Sequence, residues 1–172
     1  MKWDFEFDVV VVGSGNGALT AALCSHDGGA KTLVIEKSDQ FGGTSATSGG
    51  GVWIPNNRYA KAENVDDSDQ DARNYINSVS PEGMIKDELV ETYLAEGPRM
   101  IDYLHENSQV KYRNLAHYPD YFPDNSGGKE GNRSMEPEPI FGTELGDDLS
   151  KLREQHPQTA FTMGPINMNF TQ

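Results

Sequence analysis

The chain has 172 residues, long enough for a domain with a real core, and its 35% hydrophobic and 24% charged content, with 18 glycines and 9 prolines, predicts a soluble, loop-rich protein. A net charge of −13 excludes nucleic acid and anionic membrane as partners, since both require concentrated positive charge. No apolar run approaches the roughly 20 residues of a transmembrane segment, no signal-peptide pattern opens the sequence, and the single cysteine, Cys24, excludes an internal disulfide, so a reducing, cytoplasmic location is expected.

Phe7–Val12 reads as a fully buried strand, a β-branched run ending in glycine as in a parallel sheet. Asn16–Asp27, rich in alanine and leucine, predicts a helix with Ala18, Leu19, Ala22 and Leu23 toward the sheet; Cys24 within it is expected to be a packed structural thiol. Gly28-Gly29 predicts the stop, and Thr32–Glu36 a second buried strand, completing a βαβ unit. Residues 38–57 are mostly glycine, serine, threonine and asparagine, hence loop with at most a short helix. The acidic run Glu63–Asp71 places aspartates at the N-terminus of a helix through Val79. Residues Asp87–Glu106 carry helical apolar spacing, and Gly97-Pro98 predicts a break into a bent helix pair. Beyond Val110 the prolines and glycines predict a long irregular segment. The expected organisation is therefore a βαβ unit with a second glycine loop over 1–57, a helical segment over 58–109, and an irregular, substrate-facing segment over 110–172.

Chemistry concentrates between the first strand and the first helix. Gly13-Ser14-Gly15-Asn16-Gly17-Ala18 is GxGxxA: a tight turn, a close backbone approach to pyrophosphate, and a small residue for helix–strand packing. Free amides at the helix start would face the anion. Glu36, 23 positions after Gly13, stands where an acid accepts hydrogen bonds from ribose hydroxyls and disfavours a 2′-phosphate. The pattern implies dinucleotide binding. Gly42-Gly43-Thr44-Ser45 and Ser48-Gly49-Gly50-Gly51 follow closely enough to line an extended cofactor.

Several other patterns lead nowhere. Asp67-x-Asp69-x-Asp71 begins like a calcium loop, but Ala72 and Ser78 stand where the turn glycine and bidentate glutamate belong. The four histidines have no metal spacing, and no metal site is expected.

Val-Val-Gly-Ser-Gly-Asn-Gly-Ala at 11–18, Val34-Ile35-Glu36-Lys37, and the run from Phe41 to Val52-Trp53-Ile54-Pro55-Asn56-Asn57 resemble the flavoprotein family of fumarate reductases and 3-ketosteroid dehydrogenases. Tyr118-Pro119-Asp120-Tyr121-Phe122-Pro123 and Asn132-Arg133-Ser134-Met135-Glu136-Pro137 look most like the 3-ketosteroid Δ1-dehydrogenase branch. The resemblance implies an α/β fold, the N-terminal βαβ of a Rossmann-like FAD-binding domain, here incomplete and followed by helices and irregular segments. It implies FAD held by Gly13, Ser14, Gly15, Gly17, Ala18, Glu36 and Lys37. Gly43, Thr44, Ser45, Ser48, Gly49 and Gly50 would then lead toward the flavin ring. It further implies hydride transfer from a small, apolar, steroid-like substrate to flavin N5, a tyrosine base, and an electron acceptor as partner. Tyr118 and Tyr121 are the candidates for a catalytic tyrosine, with no ground for choosing between them.

Such flavoproteins are much longer, so the chain is expected to be an N-terminal fragment, inactive alone. A fumarate-type dicarboxylate reductase and a non-catalytic relic are the competing expectations; the first would require arginine and histidine clamps.

Overall fold

A computed structural model describes residues 3–155. It comprises two compact units: residues 3–50 with 140–155, and residues 51–139. Among the described residues no helix is long and apolar enough to cross a membrane.

The first unit is built on β1 (Val9–Val12), α1 (Asn16–Asp27) and β2 (Thr32–Ile35). The strands pair in parallel, Val9 opposite Thr32 through Val12 opposite Ile35. Asp8 ties the lower end, its amide bonding to the Lys31 carbonyl and its carboxylate accepting from the Lys31 amide at 2.8 Å. As expected, Gly28 and Gly29 stop the helix: the Gly29 amide reaches the His26 carbonyl and the Ala30 amide that of Ser25, closing the last turn.

Two expectations fail here. The strands are not fully buried; Val10, Val12 and Ile35 are 52%, 78% and 44% exposed, whereas Val9 and Val11 are half-buried. A two-stranded sheet with α1 packed on it covers one face, and alternation sends every second valine to the other. Cys24 is exposed instead of packed, because α1 rests on a sheet of only two strands and buries none of its residues, Leu19, expected toward the sheet, included.

Beyond β2 come a 3-10 turn at Ser45–Thr47 and, after the second unit, a 3-10 segment at Gly142–Lys151 interrupted at Gly146. The chain after it returns to Phe41: Phe41 donates to the Lys151 carbonyl and Arg153 to the Phe41 carbonyl, both at 2.9 Å.

The second unit is a three-stranded antiparallel sheet of order β3 (Val52–Trp53), β5 (Ser134–Pro137), β4 (Tyr112–Asn114), with α2 (Arg58–Ala62), α3 (Asp69–Val79) and α4 (Asp87–Asn107). Asn57 caps α2, its Oδ1 accepting from the Tyr59 and Ala60 amides at 3.0 Å. Ser68 caps α3, whose first turn carries Asp69 and Asp71 as the acidic run predicts. Ile54, Ile101 and Met135 form one core cluster, and Ala72, Val90 and Leu94 another.

The predicted break at Gly97-Pro98 does not occur; α4 is one helix with Pro98 inside it. Its buried residues, Val90, Leu94, Ile101 and Leu104, keep a four-then-three rhythm through position 97, so one stripe faces the core throughout. Gly97 sits on that stripe against Ile54, where an added Cβ would stand 3.3 Å from Ile54 Cδ1. Burial of this continuous stripe outweighs the hydrogen bond lost at Pro98.

Candidate functional site

The two glycine loops lie together in the first unit. Gly13 takes φ +96 at the end of β1, its amide bonded to the Ile35 carbonyl at 2.7 Å. Gly15 is the N-cap of α1 and offers no side chain, and no acidic residue occupies the first turn. The opening amides are thus left to an anion, with the helix dipole favouring one. Asn16 is the exception, its amide donating to Ser45 Oγ at 3.0 Å. Gly17 and Ala18 form the rest of this first turn, and a Cβ on Gly17 would meet nothing within 4 Å.

Ser14, 2% exposed, is the junction of the unit. Its hydroxyl donates to Glu36 Oε2 at 2.5 Å and accepts from the Gly42 amide at 2.9 Å. One hydroxyl therefore links the first glycine turn, the acid after β2 and the second loop. Glu36 Oε1 also accepts from the amides of Lys37 at 2.8 Å and Ser38 at 3.1 Å. The Ser14 hydroxyl, then the Ser38 amide, hold the Glu36 carboxyl below its ordinary range against an opposing contribution from burial. Glu36 is thus an ionised acceptor at neutral pH.

The second loop leans on the first. A Cβ on Gly43 would come within 3.4 Å of the Gly15 backbone, so these glycines permit a close approach of two main chains. Gly42 is more constrained still: it holds φ +109, and a Cβ there would stand 2.7 Å from Ala46 Cβ. Thr44 opens the 3-10 turn, its carbonyl accepting from Thr47 Oγ1; Ser48 Oγ donates back to the Ser45 carbonyl and accepts from the Gly50 amide at 3.1 Å. Gly49 is exposed beside them. These loops present backbone amides, close-approach glycines and one acid, a donor set that fits a diphosphate with a ribose. Sequence reasoning missed the return of Leu152 to this loop, since nothing local to residues 140–155 signals a partner so distant in the chain.

The second unit carries a cavity of about 380 Å³, within the range of small-molecule sites. Trp53, Tyr75, Ile76 and Val79 form part of its lining, and Tyr118, Asp120, Tyr121 and Phe122 contribute from one turn. The two candidate tyrosines differ. Tyr121 is 83% exposed, whereas Tyr118 is half-buried, and burial, then the neighbouring Tyr121, push its phenol above the ordinary range. Trp53 stacks on Tyr93 (centroids 6.3 Å apart, planes at 12°) and tilts against Tyr75 at 5.9 Å. The Tyr93 hydroxyl donates to the Trp53 carbonyl. No lysine, arginine or histidine is among the described residues lining the cavity.

Behind the lining, Arg133 lies fully buried between two carboxylates, donating through Nη2 to Asp67 at 2.7 Å and through Nη1 to Asp120 at 2.9 Å. The aspartates that begin like a calcium loop are engaged otherwise: Asp67 by Arg133, Asp69 by the Asn56 amide group, Asp71 by Lys129 Nζ at 3.0 Å. Arg133 was visible in sequence only through the resemblance of its stretch, because its partners lie 13 and 66 positions away.

The profile of the FAD binding domain family matches residues 8–168. The chain is similar to the 3-oxosteroid 1-dehydrogenase of Mycolicibacterium smegmatis, 38% identical over 97% of this chain and 29% of that protein. It is also similar to the 3-oxosteroid 1-dehydrogenase of Mycobacterium tuberculosis strain H37Rv, 39% identical over 95% of this chain and 28% of that one. Among solved structures, 3-ketosteroid Δ1-dehydrogenase from Sterolibacterium denitrificans, in complex with 1,4-androstadiene-3,17-dione, superposes with a TM-score of 0.83. It is 41% identical over 92% of this chain and 28% of that chain. The chain spans under a third of the length of these relatives.

Proposed function

The chain belongs to the FAD binding domain family, and from that premise we propose that it holds FAD and the first wall of the substrate site for a dehydrogenase of 3-ketosteroids. FAD, when bound, supplies the two-electron acceptor that such chemistry requires. The chain's own residues do the rest. Gly13, Ser14, Gly15, Gly17 and Ala18 offer turn and helix-start amides to the diphosphate. Glu36, kept ionised by Ser14, accepts from the ribose hydroxyls, with Lys37 beside it. Gly43, Thr44, Ser45, Ser48, Gly49 and Gly50 carry the cofactor onward. An electron acceptor that regenerates the cofactor belongs to the same proposal.

The observation that carries the substrate class is the cavity lining. It is aromatic and aliphatic apart from Ser80, Asp120 and Ser134, with no cation among the described residues, which suits a flat apolar ring system. A dicarboxylate would demand paired cations, and Arg133, behind the lining, already serves two aspartates. Of the two tyrosines, Tyr118 is the better candidate because it is the half-buried one. Its raised phenol remains protonated near neutral pH, so in place of the expected tyrosine base it would act as a donor, giving a hydrogen bond or proton to a substrate oxygen. Tyr121 would neighbour it at the rim.

The test is direct. The purified chain, with Trp3→Phe so that Trp53 is its single fluorescent indole, is mixed with FAD, freed of unbound cofactor, and its visible spectrum recorded; it is then titrated with 1,4-androstadiene-3,17-dione and separately with fumarate while Trp53 fluorescence is followed. A retained flavin spectrum with steroid-dependent quenching is expected. Quenching by fumarate alone would turn the reading to a dicarboxylate, and absence of flavin would remove the cofactor assignment from these residues.

A further inference from the structure

We propose that Asp120 is a positioning residue of the aromatic cavity, one buried carboxylate that locks the Trp53 indole and the Tyr118-bearing turn into a single geometry. The inference rests on the reading of this cavity as the substrate-facing site. Asp120 stands two residues after Tyr118 and one before Tyr121, and its side chain is 2% exposed. Oδ1 accepts from Trp53 Nε1 at 2.6 Å; Oδ2 accepts from Arg133 Nη1 at 2.9 Å and from the Lys129 amide at 3.0 Å. Its own amide donates to the Lys129 carbonyl at 2.9 Å. Three donors thus converge on one carboxylate from β3, from the chain entering β5, and from the strand of loop facing the turn.

Each donor is itself fixed. Trp53 is paired in the sheet opposite Ser134 and flanked by Tyr75 and Tyr93, so the indole N–H has one direction in which to point. Arg133 is held by Asp67 through Nε and Nη2, and its guanidinium lies 5.6 Å from the Trp53 ring and 5.8 Å from that of Tyr75. The turn has little freedom to drift: the Tyr118 amide bonds to the Leu115 carbonyl at 3.1 Å, and the Phe122 amide reaches Tyr75 Oη at 3.3 Å. Asp120 joins these parts, and its displacement shifts the half-buried Tyr118 relative to Trp53. An asparagine cannot substitute, because it has one acceptor oxygen for donors on both sides and turns an NH₂ toward one of them.

The experiment uses the 172-residue chain with nitrogen labelled throughout and the tyrosine rings labelled in addition, Tyr118 being assigned by Tyr118→Phe. Exposure of the Tyr118 ring is read from relaxation by a soluble spin probe, which is insensitive to ring currents. Binding of 1,4-androstadiene-3,17-dione is measured on the same samples. With Asp120→Asn, Tyr118 is expected to gain exposure and the Trp53 indole signal to move, while the Met135 and Glu136 amides stay in place. Steroid affinity should fall about tenfold, the consequence of losing one charge-assisted hydrogen bond. A folded Asp120→Asn variant with Tyr118 exposure and affinity unchanged overturns the proposal. Should that variant not fold, replacing Trp53 by its benzothienyl analogue, a ring of nearly the same shape without the N–H, removes the indole donor alone and must still raise Tyr118 exposure; an unmoved ring overturns it equally. If Tyr118 responds but the unmutated chain binds no steroid, the positioning role stands and the substrate reading fails.

Discussion

Residues 3–50 with 140–155 and residues 51–139 are held together by different means. Every buried apolar side chain among the described residues, from Ile54 to Met135, lies in the second unit, and so do four of the five buried polar ones. The first unit buries Ser14 and the backbone of Gly42 and is joined by hydrogen bonds between loops. If the loops hold the proposed anion, the first unit should draw stability from it, whereas the second, with interlocked side chains and a buried ion triad, should gain none.

The sharpest break of that contrast is Arg133→Met, which strands the Asp67 and Asp120 carboxylates without a counter-charge. A loss of about 3–5 kcal/mol is expected, seen in denaturant titration as collapse of the second unit, with protection of β1 and β2 unaffected. Next comes FAD itself. At a hundredfold excess over its dissociation constant it should add about 2.7 kcal/mol, and hydrogen exchange should assign that gain to residues 8–50. Equal protection of 51–139 would contradict the contrast. Ser68→Ala removes the cap of α3 and should cost about 1 kcal/mol, measurable as a lower thermal midpoint with the flavin spectrum unchanged.

The smallest effect is Glu36→Gln. The folded carboxyl titrates below its ordinary value near 4.5, so its contribution is fully present above that pH and disappears as pH falls through the lowered value. Wild type and variant should therefore differ in stability at neutral pH and converge in acid. A difference that grows on acidification would reverse the sign.

The local grammar of β1, α1 and β2 was legible in the sequence because each boundary has a nearby cause: a valine run, a glycine turn, an alanine-rich stretch, two glycines. The same window could not reveal that Val10 and Val12 face outward or that Cys24 is exposed, since burial depends on what packs from elsewhere. Continuity of α4 was present in the 90, 94, 97, 101, 104 rhythm, which outweighs the breaking tendency of Gly97-Pro98. Strands β4 and β5 are Tyr-Arg-Asn and Ser-Met-Glu-Pro, too short for alternation to register, and exist through pairing with each other and with β3. The glycine loops were readable as a candidate site because their residues are adjacent in sequence; the buried group Asp67–Arg133–Asp120–Trp53 was not, because its members come from four separate stretches.

The pairing of Phe41 with Leu152 has a consequence for the order in which the protein is made. Residues 51–139 are inserted between the two segments of the first unit, so a ribosome delivers the glycine loops early and their closing strap last. During synthesis at roughly 5–20 residues per second, the inserted unit has its complete sequence available before that strap leaves the exit tunnel. Nascent chains stalled with residues 51–139 outside the tunnel and Leu152 still within it would then carry the whole insert together with a second glycine loop still lacking its companion segment.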